Sequence, residues 1–198
     1  MPKNADMMAG NCLIPETFDN QLLDTQAVIH CVGGLFPSKK YERSYIALNR
    51  DSCINMATSL QKHAKKQGQI RNFVMVSASR QPPWSSEYLT TKQEAEKFLL
   101  NECPNLRVTI MRPGVIVNYQ ERWWSMPIGL YCMYVDFLWT RFYSKIPGTK
   151  RIESRVPDRP TKLITLTDIA IHGALGLNNQ KEFNRDDFIA WETDHDLS

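Results

Sequence analysis

The sequence has few of the residues that mark disulfide scaffolds, metal centres or nucleic-acid binding. Its five cysteines are odd in number and none lies in a C-x-x-C spacing, which indicates free thiols in a reducing compartment. Its four histidines are scattered and make no ligand pair, so we expect no metal site. A formal net charge of +3, without interleaved arginines and aromatics, argues against nucleic acid as a partner. No secretory signal or Arg- and Ser-rich transit segment is visible at Met1.

Length and composition predict one domain. The chain has 198 residues, of which 42% are hydrophobic, and this is enough to build one sizeable core. We therefore expect a single domain over residues 1–198. Residues 182–198 are acidic, and we expect them to form a tail that is ordered only if it docks.

The segment from Asn72 to Leu100 is predicted to form a strand, a loop and a helix. Its apolar start is a buried strand that ends near Ser77 and Ser79, and a serine-capped helix follows the loop. Tyr88 and Lys92 lie four residues apart, so they share one face of that helix.

This arrangement suits proton transfer to or from a carbonyl or an alcohol. The ordinary tyrosine pKa is about 10, and a lysine ammonium one turn away should lower the pKa of Tyr88. Ser77 or Ser79 could hold the substrate oxygen, since alternate strand residues point the same way. The other interpretation is that Tyr88 is a half-buried aromatic residue and Lys92 a solvated cation.

Two further segments have comparable patterns. Residues 26–32 form a continuous apolar run, typical of a parallel strand covered on both faces, and this run ends at Gly33 and Gly34. We expect His30 within it to be a core histidine. Residues 105–112 predict a strand that runs into a proline–glycine turn.

The intervening helix, predicted from Tyr41 to Lys66, carries Asn49 on its apolar face. An unpaired amide there would be costly. Asn49 either bonds a neighbouring loop or braces the site near Tyr88, and the sequence leaves both interpretations open.

The later part of the chain is rich in aromatic residues. Residues 121–146 are apolar on nearly every side, but Pro127 and Asp136 argue against a membrane span. We expect a helix buried against the sheet and a partner, or lining an apolar pocket; contact with a membrane interface is the second interpretation. A strand over Leu163–Leu166 and a helix over Asp168–Leu177, capped by Thr167, are predicted to follow.

Three motifs together resemble a known family. V-I-H-C-V-G-G, a serine-ended strand before Y-L-T-T-K, and M-R-P-G occur in the order found in the extended and atypical short-chain dehydrogenase/reductases. The resemblance implies an α/β fold, a doubly wound parallel Rossmann-like sheet that lacks its first three strands. It also implies NAD(P)(H) as the cofactor. The implied catalytic residues are Tyr88, Lys92, Ser79 or Ser77, and Asn49, and the implied cofactor contacts are Gly33, Gly34, Lys92, Arg112, Pro113 and Gly114.

The glycine-rich turn that holds the pyrophosphate in this family is missing. No G-x-x-G-x-x-G occurs in the sequence, and the first predicted strand corresponds to the family's fourth. We therefore expect weak dinucleotide binding by this chain alone, and a protein partner that covers the edge of the strand at residues 26–32.

Within the family, the resemblance is closest to the Rossmann-fold accessory subunit of mitochondrial complex I and to the fungal short-chain-dehydrogenase-like protein of ubiquinone biosynthesis. It implies a mitochondrial accessory or structural subunit in quinone or respiratory metabolism, with quinone or membrane-interface contact through residues 123–143. The alternative is an NAD(P)-dependent oxidoreductase of a hydrophobic carbonyl or a quinone-related substrate.

Overall fold

A four-stranded parallel sheet organises the chain. The computed structural model describes residues 5–81, 85–118, 126–143 and 158–195. The strands in chain order are β1 (Ala27–His30), β2 (Arg71–Val76), β3 (Leu106–Met111), β4 (Ile116–Val117), β5 (Thr161–Lys162) and β6 (Glu182–Phe183). The main sheet has the order β1-β2-β3-β6, while β4 and β5 form a separate parallel pair.

Helices cover both faces of the main sheet. They are α1 (Ser52–Gln67), α2 (Glu87–Glu102), α3 (Met126–Leu138), α4 (Leu163–Ala174) and α5 (Arg185–Asp194). Phe73 and Met75 of β2 pack with the buried residues of α1 and α2, whereas Val74 packs with those of α4. This alternation explains why the strands read as continuous apolar runs. The predicted α/β, doubly wound parallel sheet is confirmed.

The first half of the chain matches the sequence prediction closely. β1 and β3 lie within the segments predicted for them, while β2 begins at Arg71, just before the predicted segment, and α2 ends at Glu102, just after it. The proline at the start of residues 15–23 predicts a short helix there. The structure has two short 3-10 turns instead, Pro15–Thr17 and Asp19–Leu22. The helix predicted from Tyr41 to Lys66 is not continuous. A π-helical turn at Ile46–Asp51 precedes α1, which begins at Ser52.

The strand predicted at Leu163–Leu166 is wrong. The strand is β5, two residues earlier, and the helix already begins at Leu163. Leu166, Ile169 and Ala170 are buried at helical spacing against the sheet, so helix packing outweighs the strand propensity of this short run. Thr167 consequently lies inside α4, where its hydroxyl donates to the Leu163 carbonyl at 2.8 Å, and it does not cap the helix.

The acidic C-terminal segment docks on the sheet. β6 pairs with β3, and Asn184 and Asp187 form a capping box at the start of α5. Phe188 is buried, and Trp191 packs beside it against the core formed with α4. The sequence predicts that residues 182–198 are ordered only if they dock. The described part of this segment, residues 182–195, does dock.

The aromatic helix is exposed, which corrects the expectation that it is buried against the sheet. Of α3, only Gly129, Cys132 and Asp136 are buried. Asp136 binds Nη2 of Arg185 at 2.7 and 2.8 Å, so the carboxylate ties α3 to α5. Large side chains project from α3 into solvent, namely Ile128, Leu130, Tyr131, Tyr134 and Phe137. Trp123 and Trp124 lie outside the described residues.

None of the helices in the described ranges is both long enough and apolar enough to cross a bilayer.

A buried ion-pair network joins α2 to the far side of the sheet. Glu96 of α2 is only 4% exposed, and its carboxylate accepts from Arg112 Nη2 at 2.7 Å. Arg112 Nη1 also donates to Glu182 of β6 at 2.7 Å. One arginine thereby links α2, the end of β3 and the docked C-terminal segment.

Replacing Glu96 by glutamine should lower the free energy of unfolding by about 2–3 kcal/mol, because it leaves a partly buried guanidinium without its strongest partner. The measurement is urea unfolding. The matched control is Glu94→Gln on the same helix, where the exposed pair with Arg50 predicts a change below about 1 kcal/mol. Equal decreases in the free energy of unfolding for the two substitutions would show that the buried network stabilises the protein no more than the exposed ion pair does.

His30 is the core histidine expected from the sequence. It is 3% exposed, its Nε2 lies 3.3 Å from Ser52 Oγ, and its ring stacks on Phe73. Burial, with a smaller contribution from the nearby Lys92 charge, lowers the pKa of His30 to about 4.

Because the folded-state pKa of His30 lies below its ordinary value of 6.5, its contribution to stability is complete above pH 6.5 and is lost as the pH falls towards 4. This should remove about 3 kcal/mol of the free energy of unfolding. Urea midpoints between pH 7 and pH 4 should fall less steeply for His30→Gln than for the wild type. The same slope in both proteins would contradict this assignment.

Candidate active site

A cavity of about 230 Å³ lies at the carboxyl ends of β1, β2 and β3. Ligands of doubly wound sheets bind at this edge. The structure brings seven of the predicted site residues to the wall of this one cavity: Gly33, Gly34, Ser77, Tyr88, Lys92, Pro113 and Gly114. Residues separated by 80 positions in the sequence thus share one site.

Lys92 is buried and joins two strand ends. It lies in the second turn of α2, and its ammonium donates to the Val76 carbonyl at 3.0 Å and the Val32 carbonyl at 3.3 Å. Burial lowers the pKa of Lys92, and the nearby Cys53, Cys31 and Glu96 oppose this shift. The interpretation of Lys92 as a solvated surface cation is wrong.

Tyr88 lines the cavity one helical turn before Lys92, and its ring meets that of Tyr45 edge-on at 5.9 Å. Burial raises the pKa of Tyr88, and Tyr45 adds to this shift. The prediction that the pKa of Tyr88 is lowered is wrong, because burial of the phenol shifts it in the opposite direction. The phenol is therefore protonated at neutral pH and can act as a proton donor.

Asn49 braces the glycine turn that forms part of the cavity wall. Its Oδ1 accepts from the Gly34 amide at 2.9 Å, and its Nδ2 donates to the Gly34 carbonyl at 3.3 Å. A Cβ at Gly33 would lie 3.0 Å from Asn49 Oδ1 and 3.1 Å from Lys92 Nζ, so a side chain there would crowd both groups. Asn49 thus bonds a neighbouring loop, as one interpretation held, and that loop is a wall of the cavity.

The two candidate serines differ in their surroundings. Ser77 lines the cavity, but its hydroxyl donates to the Glu96 carboxylate. The hydroxyl oxygen of Ser79 is buried and has no hydrogen-bond partner in the described part of the chain, while the Ser79 amide donates to the Pro113 carbonyl at 3.0 Å. Ser79 does not line the cavity, so either serine needs a rearrangement to reach a substrate oxygen.

Arg112 does not line the cavity, unlike the adjacent Pro113 and Gly114. Its guanidinium binds Glu96, Glu182 and Asn184 instead. These partners occupy the guanidinium in the structure, and its contact with a cofactor stays a prediction.

Two residues at the site were not identified from the sequence. Tyr45 packs against Tyr88 and donates from its hydroxyl to the Leu35 carbonyl at 2.9 Å, and Glu96 fixes Ser77. Glu96 follows Lys92 by four residues, so a second charge on the same helix face was a signal for it. Tyr45 gave no comparable signal.

The cavity is smaller than the range of about 300–1,000 Å³ that is usual for ligand pockets. At about 230 Å³, it encloses only part of a dinucleotide.

Known protein structures share this architecture. A short-chain dehydrogenase from Mycobacterium paratuberculosis bound to NAD is 11% identical with a TM-score of 0.57, and the match covers 90% of this chain and 71% of that one. An enoyl-(acyl-carrier-protein) reductase from Anaplasma phagocytophilum in complex with NAD is 14% identical with a TM-score of 0.58, covering 89% and 68%. These likenesses show the fold, that of Rossmann dehydrogenases.

A third match, to an alcohol dehydrogenase from Thermococcus sibiricus complexed with 5-hydroxy-NADP, is 20% identical with a TM-score of 0.41 and covers 55% of this chain. The chain spans about half of that protein, 53% of its length. No curated protein matches the sequence.

A family model assigns the chain more directly. The NAD-binding family described as Male sterility protein matches residues 44–152, which contain Asn49, both candidate serines, Tyr88, Lys92 and the turn at Pro113. The match covers more than half of the 198 residues. The chain therefore belongs to this NAD-binding family of the Rossmann fold, described as Male sterility protein.

Proposed function

We propose that this chain carries the catalytic half of an NAD(P)(H)-dependent oxidoreductase of the short-chain dehydrogenase type. The observation that supports this most directly is the convergence of Tyr88, Lys92 and the Gly33–Gly34 turn on one cavity at the carboxyl edge of the sheet. A phenol, an ammonium and a close-approach turn are the groups that reduction of a carbonyl needs.

The residues fit the nicotinamide end of the cofactor better than its pyrophosphate end. Gly33 leaves open a space that a Cβ would fill, beside Lys92 Nζ and Asn49 Oδ1. Lys92, Gly33, Gly34, Pro113 and Gly114 would hold this end. No glycine-rich phosphate turn occurs in the sequence, so the pyrophosphate must be held by a segment that completes the sheet.

When bound, the nicotinamide supplies or accepts a hydride. Tyr88, protonated at neutral pH because burial raises its pKa, donates its proton to the carbonyl oxygen of the substrate. Lys92 acts as a positioning residue that fixes the ends of β1 and β2. Leu35, Val76 and Ile116 give the cavity an apolar wall, which supports a hydrophobic carbonyl or a quinone-related molecule as the substrate class.

Substituting Tyr88 by phenylalanine should lower the turnover of NAD(P)H with a quinone or hydrophobic ketone by at least about 100-fold, because the proton donor is lost. Binding of the nucleotide, followed by its fluorescence, should be unchanged. The measurement is made on protein isolated from its native source, with Tyr41→Phe as the matched control, since Tyr41 is exposed and does not line the cavity.

Full turnover in Tyr88→Phe would refute the catalytic assignment. Nucleotide binding with no turnover in the wild type would favour the second candidate function.

The second candidate is an accessory or structural subunit in mitochondrial quinone or respiratory metabolism. Two features favour it: the exposed apolar side chains of α3, such as Leu130 and Phe137, and the outer edge of β1, where Ile29 is exposed. This candidate function includes three proposals: the protein is mitochondrial, a protein partner covers the edge of β1, and α3 contacts a quinone or a membrane interface.

The partner at β1 is proposed to be a parallel strand that carries a glycine-rich turn. β1 is an edge strand of the main sheet in the described part of the chain, and an unpaired edge can accept a further strand. Such a strand would both cover the edge and supply the missing phosphate-binding turn.

A photo-crosslinking amino acid in place of Ile29 should form a cross-link to a segment that contains this turn, on the same polypeptide or another one. Peptide mass spectrometry identifies the segment. The matched control position is Ile171, on the outer face of α4, which should give no such product. Absence of the cross-link at position 29 would contradict the proposed partner.

A further inference from the structure

The fold brings together three side chains of the types that bind metals, Asp168, His172 and His195, which lie up to 27 positions apart in the sequence. Asp168 and His172 lie one turn apart on α4, and His195 follows the end of α5. One ligand atom from each side chain lies within 4.8 Å of the other two. The expectation that the histidines make no ligand pair is thus corrected by the docking of α5, which places the rings of His172 and His195 at 5.9 Å.

We propose that Asp168, His172 and His195 form a Zn²⁺ site that fastens α5 to α4. Two imidazoles and one carboxylate are a common set of zinc ligands, at about 2.0–2.2 Å from the ion. The three side chains must close by about 1 Å to reach those distances, and all three are at least partly exposed, so they can adjust.

The hydrogen bonds around the cluster favour metal binding. Nδ1 of His172 lies 2.9 Å from the Asp168 carbonyl, and Nδ1 of His195 lies 3.1 Å from the Trp191 carbonyl. A carbonyl only accepts, so each Nδ1 carries the proton and each Nε2 keeps a free lone pair. This is the arrangement that metal-binding histidines ordinarily have.

Trp191 holds the carboxylate and one imidazole in place. Its Nε1 donates to Asp168 Oδ2 at 2.7 Å, while Oδ1 lies 3.6 Å from Nδ1 of His172, and the Trp191 ring stacks on His195 at 4.1 Å. The ring of Trp191 also packs in the core shared by α4 and α5. Two of the ligands are thus positioned by a residue that is itself anchored. Three protein ligands leave a fourth position for water.

The proposed site is separate from the cavity at the carboxyl edge of the sheet. None of its three residues lines that cavity. Its role is therefore structural: the ion would link the last turn of α5 to the second half of α4.

Titration of the tag-free, metal-free full chain with Co²⁺ alone tests the ligand set. Nitrogen and oxygen ligands in a tetrahedral site should give visible d–d bands without the thiolate charge-transfer band that the free cysteines would produce. Added Zn²⁺ should displace the cobalt. The affinity for Co²⁺ should fall at least tenfold in His172→Gln and in His195→Gln. It should be unchanged in His63→Gln, because His63 lies on α1 beside Asp19 and not in the cluster.

His195 is exposed at the end of α5, so its substitution tests the site without disturbing the core. Hydrogen exchange of the α5 amides should slow when Zn²⁺ is added to the wild type, and should not change in His195→Gln. A thiolate band, an unchanged affinity in both variants, or exchange that is insensitive to Zn²⁺ would overturn the proposal.

Discussion

The constraint that shapes this protein is that a parallel sheet must be covered on both faces. Its strands are too hydrophobic to leave either side in water, and each β-α-β connection places a helix on one face. α1 and α2 cover one face of β2, while α4 and the docked α5 cover the other. Because the strands run in one direction, their carboxyl ends meet at a single edge, and the cavity forms there.

Burial also explains the electrostatic character of the site. Lys92 and Glu96 are both withdrawn from water on α2, yet each has hydrogen-bond partners: two main-chain carbonyls for the ammonium, and Arg112 with Ser77 for the carboxylate. Removing one partner of such a buried charge is costly, because the other is left uncompensated. The same lack of water keeps Tyr88 protonated, so the helix presents a proton donor rather than a phenolate.

The sequence predicts the parts of the fold whose signals are local and strong. The apolar runs predict β1, β2 and β3, and the four-residue spacing places Tyr88 and Lys92 on one helix face. The resemblance to a known family supplied the type of sheet and the turns of the cavity wall, and β6 was not predicted. The sequence is less informative where the orientation of a side chain depends on a residue from a distant segment. Arg112 follows a strand that leads to the site, but two carboxylates from distant segments, Glu96 and Glu182, turn it away from the cavity.

The errors in the second half of the chain have the same origin. Leu163–Leu166 is short and apolar, and only its position against the sheet makes it helical. The approach of His195 to His172 depends on the docking of α5, which has only Phe188 and Trp191 as large anchors. Long-range packing of this kind leaves no periodic trace in the sequence.

The Arg112 network has a consequence for how substitutions at the C-terminus are interpreted. Glu182 binds Arg112, Arg112 binds Glu96, and Glu96 accepts from Ser77 on the cavity wall, so four polar side chains form a continuous path from β6 to the site. A substitution in β6 would therefore disturb the hydrogen bonding of Ser77 without changing any residue that lines the cavity. For mutational scans, an effect that maps to residues 182–184 is therefore compatible with a cavity whose lining residues are all unchanged.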